Sequence, residues 1–217
     1  APGMYNPFSL LNALHKRSFG SYWFETGTPS YLVELLKRHD FKLDELKGNK
    51  VTANVLSAID ASSSNPISVI FQSGYLTISG YNERYKLYSL DFPNEEVREG
   101  FMLYLMPYYT SVSVNKTGFQ ISCFVEEVKG GDITAFMTRL ESFFANVPYD
   151  LIKDTENHYQ NVLFILCNLC GLYTKAEFHT SNGRVDMTIE TPDYVYVFEF
   201  KYNGTAEEAM AQIKEKN

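Results

Sequence analysis

Two acidic residues and a lysine near the carboxyl end of the chain are the side chains best suited to chemistry. Asp186 lies in an alternating apolar run at residues 184–190, and Glu199 and Lys201 flank Phe200 in the next such run. Because strand side chains alternate between faces, Glu199 and Lys201 are expected on one face, with Phe200 in the core. An antiparallel partner would bring Asp186 beside them. Paired carboxylates repel each other unless a cation lies between them, and Mg²⁺ prefers such oxygen ligands. A neighbouring lysine could stabilise a phosphate or help to deprotonate water, although an exposed polar strand face is the alternative interpretation.

The elements predicted around these residues follow the order helix, strand, strand, strand, helix. The first helix is capped by Asp154 or Thr155 and closes at Gly171. The predicted strands cover residues 174–178, 184–190 and 194–201, and the last helix runs from Ala206 to at least Lys216.

Two further polar residues extend the pattern. Glu156 lies in the first turn of the first helix, and Gln212 lies in the last helix. The order of these residues resembles that of the PD-(D/E)XK nuclease superfamily: an acidic residue on a helix, an Asp on a strand, Glu-x-Lys on the next strand and a Gln on the last helix. The residues at 183–186, 191–201 and 206–213 are similar to the nuclease-like domain at the carboxyl end of an uncharacterised bacterial family of predicted AAA-type ATPases.

The resemblance implies a role for each residue of the set. Asp186 and Glu199 would hold Mg²⁺, for which Mn²⁺ is a surrogate, together with the Phe200 carbonyl. Lys201 would position or activate the attacking water. Glu156 would support a second metal or that water, Gln212 would orient Lys201 or the phosphate, and Tyr159 and Gln160 would brace the site. The implied reaction is hydrolysis of a phosphodiester without a covalent intermediate.

The front half resembles the end of the ATPase region of the same family, on the residues at 5–12, 22–29 and 71–78. The chain has no Gly-x-x-x-x-Gly-Lys-Ser/Thr motif, so it is expected to hold no nucleotide site. Helices at 30–38 and 52–59, a short apolar element at 67–71 and a hairpin of strands at 75–81 and 85–90 follow the order of a winged-helix module. A helix at 95–106 is expected to stop at Pro107.

These patterns predict an α+β or α/β chain with three parts. Residues 1–106 are expected to be the carboxyl-terminal remnant of an AAA-ATPase-like region, helical with a hairpin. Residues 107–149 are a helical connector, where 112–114 and 119–125 are strands or helix pieces and Asp132 caps a helix at 133–145. Residues 150–217 are expected to form a nuclease-like core with a mixed sheet, truncated inside its last helix.

Composition excludes several classes of protein. Apolar residues make up 45% and charged residues 21% of 217 positions, which disfavours disordered and fibrous chains. Nineteen basic and 26 acidic residues give a net charge of −7, which disfavours a generic nucleic-acid coat. No apolar run approaches the roughly 20 residues that span a bilayer. Three cysteines and no signal peptide favour a reducing compartment, and hence the cytoplasm.

Other candidate residues are weaker. Cys167 and Cys170 have metal or redox spacing, but their apolar surroundings favour buried free thiols. His158 is expected at the surface or behind the site, and His179 is isolated in the sequence. The aromatic hairpin could stack nucleotides, although cross-strand packing of its rings is the simpler interpretation.

The sequence therefore favours an enzyme that hydrolyses phosphodiester bonds of nucleic acid, with DNA as the first candidate. The AAA-type ATPase region of the same full-length protein is the expected partner, and no membrane contact is expected. Two alternatives remain: a catalytically inactive nuclease-like fold that binds protein or DNA, and DNA binding by a winged helix in the front half.

Overall fold

A computed structural model describes residues 7–18, 20, 22, 30–57, 65–110, 112–145, 155–171, 173–181, 184–201 and 204–215, without the side chains of 155, 180–186, 212, 213 and 215. The chain divides into two compact units. The first comprises residues 1–41 and 45–101, and the second comprises residues 42–44 and 102–217.

The first unit combines short helices with a small antiparallel sheet, in which β1, β3 and β2 pair in that order. Its elements, with the helix that leads into the second unit, are α1 Pro7–Lys16, α2 Ser30–Arg38, β1 Lys50–Val51, α3 Ala53–Ser57, α4 Ile67–Gln72, β2 Thr77–Asn82, β3 Leu87–Asp91 and α5 Glu95–Tyr109. The predicted helices at 30–38 and 52–59 and the short element at 67–71 are present. Helix α3 covers residues 53–57 of the second one, and residues 58 and 59 lie outside the described ranges.

The predicted hairpin is confirmed as β2 and β3. Tyr81 pairs with Tyr88 across the strands, and their ring centroids lie 4.7 Å apart. Lys86, in the turn between the strands, has a positive φ of 53°. The ring contact supports cross-strand packing as the reason for the aromatic residues.

The prediction that Pro107 stops a helix is wrong, because α5 continues through it to Tyr109. Proline lacks the N–H that would bond to the residue four positions before it, yet the last helical turn can lose one such bond. The following Thr110 still donates its N–H and its hydroxyl to the Met106 carbonyl, at 2.9 and 2.8 Å.

The second unit contains α6 Thr117–Lys129, α7 Ile133–Ala145, α8 Thr155–Cys170, β4 Lys175–Ser181, β5 Arg184–Glu190, β6 Val195–Lys201 and α9 Ala206–Glu215. The helix predicted at 133–145 and the helix-strand-strand-strand-helix order are confirmed. Residues 119–125 are helical, and residues 114–116 form a single 3-10 turn. The expected mixed sheet is corrected: the described strands are antiparallel in the order β4-β5-β6, since short connections cannot join parallel neighbours.

The turn between α6 and α7 depends on Gly131 and Asp132. Gly131 has a φ of +79°, a conformation that favours glycine, and a Cβ there would lie 2.8 Å from the ring of Tyr194. Asp132 accepts a hydrogen bond from the Ala135 N–H at 2.9 Å, which confirms the predicted cap.

Helices cover the apolar face of the sheet in this unit. Phe178 of β4 meets Phe164 of α8 at 5.6 Å between ring centroids, and Phe198 of β6 meets Phe136 of α7 at 5.2 Å. The Tyr196 hydroxyl donates to the Val128 carbonyl of α6 at 2.8 Å. Thus α6 and α7, from the segment predicted as a connector, pack on the sheet.

No helix in the described ranges is both long and apolar enough to cross a membrane.

Candidate active site

The strand register brings the two predicted carboxylate positions together. In the antiparallel pair of β5 and β6, Asp186 lies directly opposite Glu199. Directly opposed residues of neighbouring strands share a face, with Cβ atoms about 4.5–5.5 Å apart. The pairing expected from the sequence is therefore present in the backbone.

The register also places the two cationic residues, Arg184 and Lys201, opposite each other. Lys201 lies opposite Arg184, one row nearer the end of the sheet than the Asp186–Glu199 pair. Residues two apart on a strand share a face, so two cationic and two acidic positions occupy one face of the sheet. This face opposes the apolar face that α6, α7 and α8 cover, because Phe198 alternates with Glu199.

Glu199 is half-buried and its Oε1 atom is shielded from solvent, while Lys201 is half-buried as well. Burial disfavours the charged form of a carboxylate unless a positive charge or hydrogen bonds compensate. A positive charge or hydrogen-bond donors near Glu199 would therefore favour its ionised form.

The chain after β6 comes close to Lys201. A Cβ at Gly204 would lie 2.9 Å from the Lys201 Cβ and 3.2 Å from both the Lys201 Cδ and a carboxylate oxygen of Glu208. Substitution of Gly204 would therefore displace Lys201 or the chain that follows it.

The beginning of α9 is fixed by a reciprocal pair of hydrogen bonds. Thr205 Oγ1 accepts from the Glu208 N–H at 3.2 Å, and Glu208 Oε2 accepts from the Thr205 N–H at 3.1 Å. This is the capping box of a Thr at the N-cap and a Glu three residues later. It anchors the helix that carries Gln212, whose side chain lies outside the described set.

Glu156 occupies the first turn of α8, as predicted. Gln160, one turn later, donates its amide N–H to Glu156 Oε1 at 3.0 Å, and Tyr159 packs its ring on Phe144 at 4.6 Å. That Gln160 and Tyr159 brace the site stays a prediction.

The contacts of α8 indicate where its first turn lies. A Cβ at Gly171 would lie 3.7 Å from that of Ala176 at the start of β4, while Phe164 meets Phe178 further along the strand. Helix α8 therefore runs back along β4, and Glu156 lies toward the end of the sheet where β4 ends. This is also the end at which Lys201 closes β6.

His158 is half-buried: its Nε2 atom is shielded from solvent, and its ring lies 6.2 Å from the rings of Tyr109 and Tyr159. Cys167 and Cys170 are buried free thiols, as expected. Burial, with smaller contributions from Cys167 and Glu127, raises the pKa of the Cys170 thiol.

Sequence reasoning missed His179 and Arg184 as members of this face. His179 pairs with Asp186, and Ser181 pairs with Arg184 around a two-residue connection. The Asn182-Gly183 dipeptide was the available signal, since such a turn fixes the register of its hairpin. Residues 182 and 183 themselves lie outside the described ranges.

The acidic positions of β5 and β6 are the groups that could hold a divalent cation. The described side chains include no group of three His, Cys, Asp or Glu residues that could hold a metal ion. The side chain of Asp186 is not among the described ones. Two carboxylate positions directly opposite each other destabilise the strand pair by repulsion, and a hard cation would relieve it. The residues present therefore fit Mg²⁺ by their chemistry.

Part of this chain is similar to a known family, and nearly all of it is similar to a known protein. Residues 154–217 match the family profile described as PD-(D/E)XK nuclease superfamily. The chain is 34% identical over 229 residues to a protein of Azotobacter chroococcum mcd 1, called "Uncharacterized protein in vnfD 5'region". That alignment covers 98% of this chain and 43% of the relative, so the chain spans less than half of the relative's length. No solved structure matches the chain.

Proposed function

We propose that residues 150–217 form a metal-dependent nuclease domain that hydrolyses phosphodiester bonds of nucleic acid. DNA is the substrate that we propose first. The observation that carries the proposal is the register of Asp186 against Glu199, with Lys201 two residues further on, inside the segment that matches the superfamily. Nuclease activity is what this superfamily suggests.

In this proposal Asp186, Glu199 and the Phe200 carbonyl hold Mg²⁺. Such an ion lowers the pKa of water and offsets charge on a phosphate. Lys201 positions the attacking water or the phosphate oxygen, and its ammonium group offsets negative charge there. Gln212 orients Lys201 or the phosphate.

Glu156 supports the attacking water or a second ion from the first turn of α8. Its hydrogen bond from Gln160, at 3.0 Å, would hold one carboxylate oxygen in place and leave the other for that contact. Tyr159 contributes through its packing on Phe144, which keeps the first turn of the helix in position.

The test is cleavage of plasmid DNA and of a mixed-sequence RNA by the full chain with Mg²⁺ or Mn²⁺. Asp186→Asn and Lys201→Met should each reduce cleavage by about 10²-fold or more, because both remove charge needed in the transition state. Glu190→Gln is the matched control, since Glu190 lies on the same strand in an exposed pair with Lys175 at 2.7 Å. Absence of cleavage by the folded parent on both substrates would favour an inactive nuclease-like fold that binds a partner.

We propose in addition that residues 30–91 form a winged-helix module. Two features favour this module. Its elements follow the chain order α2, β1, α3, α4, β2, β3. Its strands pair in the order β1-β3-β2. In such modules the helix before the hairpin enters the DNA groove. Here that helix is α4, and residues 65–76 around it contain no Lys or Arg. Within α4, Ile67, Ser68 and Ile70 are buried. We therefore propose that this module contacts protein.

The protein contact would be made with the AAA-type ATPase region of the full-length protein, a proposal that rests on the resemblance of residues 1–106. Metal-free binding of the chain to a fluorescent DNA duplex should be weak and unchanged by Arg84→Ala in the hairpin turn. A salt-dependent affinity that Arg84→Ala lowers would instead indicate DNA binding by this unit.

A further inference from the structure

We propose that His179 is a third ligand of the cation at Asp186 and Glu199, and that the site therefore favours a transition-metal ion over Mg²⁺. The inference rests on the proposed nuclease function. Its starting point is the register, in which His179 of β4 and Glu199 of β6 lie opposite Asp186 from either side. The three positions form one row across the sheet, which we call the His179 row.

The spacing of the His179 row suits a single ion. Neighbouring strands lie about 4.8 Å apart, so the two outer positions stand about that distance on either side of Asp186. Metal-ligand bonds to nitrogen and carboxylate oxygen are about 2.0–2.2 Å long. The imidazole of His179 and the carboxylate of Glu199 are both long enough to reach an ion shared with the central position.

His179 is available for such a contact. Its side chain is 70% exposed, and Glu177 Oε2 lies 3.8 Å from its Nε2, too far for a hydrogen bond. The imidazole can therefore turn toward Asp186 without giving up a hydrogen bond to Glu177 and without disturbing the apolar face. The other histidines lie elsewhere: His15 in α1, His39 directly after α2, and His158 packed on Tyr109.

An imidazole ligand changes which ion the site prefers. Carboxylate, carbonyl and water ligands suit Mg²⁺, whereas imidazole suits the later transition metals, and affinity rises from Mn²⁺ to Co²⁺. A row of two carboxylates and one imidazole should thus bind Co²⁺ more tightly than Mn²⁺, and both more tightly than Mg²⁺.

The experiment is a Mn²⁺ titration of the full chain followed by electron paramagnetic resonance, with electron spin echo measurements that detect a nitrogen nucleus bonded to Mn²⁺. The parent should show the nitrogen signal, and Co²⁺ should displace Mn²⁺ at lower concentrations than Mg²⁺ does. His179→Gln should lose the nitrogen signal and at least about tenfold in Mn²⁺ affinity, and the advantage of Co²⁺ over Mg²⁺ should shrink. His15→Gln is the matched control, because His15 is exposed in the other unit.

Two kinds of failure are distinguishable. If Mn²⁺ binds and Asp186→Asn abolishes it, but the nitrogen signal is absent or persists in His179→Gln, the role of His179 is overturned and the carboxylate site stands. If the folded parent binds no Mn²⁺, the metal site of the proposed function is overturned, and the role of His179 falls with it. Circular dichroism of each variant shows that it is folded.

Discussion

Replacing Gly204 with alanine should displace Lys201. The new Cβ would lie 2.9 Å from the Lys201 Cβ, an atom that cannot move without its backbone. Carbon atoms in good contact lie about 3.5–4.0 Å apart, so the two residues must separate by roughly 0.6–1.1 Å. The same substitution brings the Cβ to 3.2 Å from the Glu208 carboxylate, which caps α9.

The cost in stability follows from the overlap. Overpacking of this kind costs about 1–3 kcal/mol. Alanine recovers about 0.4–1 kcal/mol by restricting the unfolded chain. The difference between these ranges is a net loss of about 0–2.6 kcal/mol. Its central value, about 1.3 kcal/mol, lowers the Tm by about 3–5 °C in a chain of this size. If Lys201 acts as proposed, a displacement near 1 Å should also lower kcat by about 10²-fold.

The assay is thermal and urea unfolding followed by circular dichroism, with DNA cleavage as the second measurement. Gly118→Ala is the matched control, because Gly118 is exposed in α6 and an added Cβ there has no atom of the described residues within 4 Å. That control should gain up to about 1 kcal/mol, the usual benefit of alanine in a helix. A Gly204→Ala variant that gains as much stability as Gly118→Ala would refute the close approach to Lys201.

Three further predictions concern the elements around the site. Thr205→Val should destabilise the chain by about 1 kcal/mol in urea unfolding, whereas Thr205→Ser should be nearly neutral, because only a hydroxyl caps α9. Tyr196→Phe should cost about 1 kcal/mol by removing the hydrogen bond to the Val128 carbonyl, and an unchanged urea midpoint would contradict it. Burial raises the pKa of the Cys170 thiol above its ordinary 9.0. The contribution of this thiol to folding is therefore fully present below pH 9 and is lost as the pH rises above it. Above pH 9, the free energy of unfolding should fall more steeply in the parent than in Cys170→Ala.

Much of the second unit could be predicted from the sequence because its periodic patterns are strong. Alternating apolar residues predict β5 and β6, and the Glu-x-Lys order places Glu199 and Lys201 on one face whatever the tertiary structure. The same reasoning was less reliable between residues 107 and 131. Short apolar runs fit a strand or a helix equally well, and α6 is favoured by its packing through Phe124 on Phe136 of α7, at 5.0 Å.

The sequence by itself determined the kinds of side chain at the site and the order of the elements that carry them, because both depend on local periodicity. Only the tertiary structure decided which strands pair, and in which register. That register placed His179 beside Asp186 and Arg184 beside Lys201. It is set when both strands bury their apolar face, because a slip of one residue would move every side chain to the opposite face. The close approach of Gly204 to Lys201 is likewise a tertiary contact, since nothing in the spacing of three residues predicts which atoms touch.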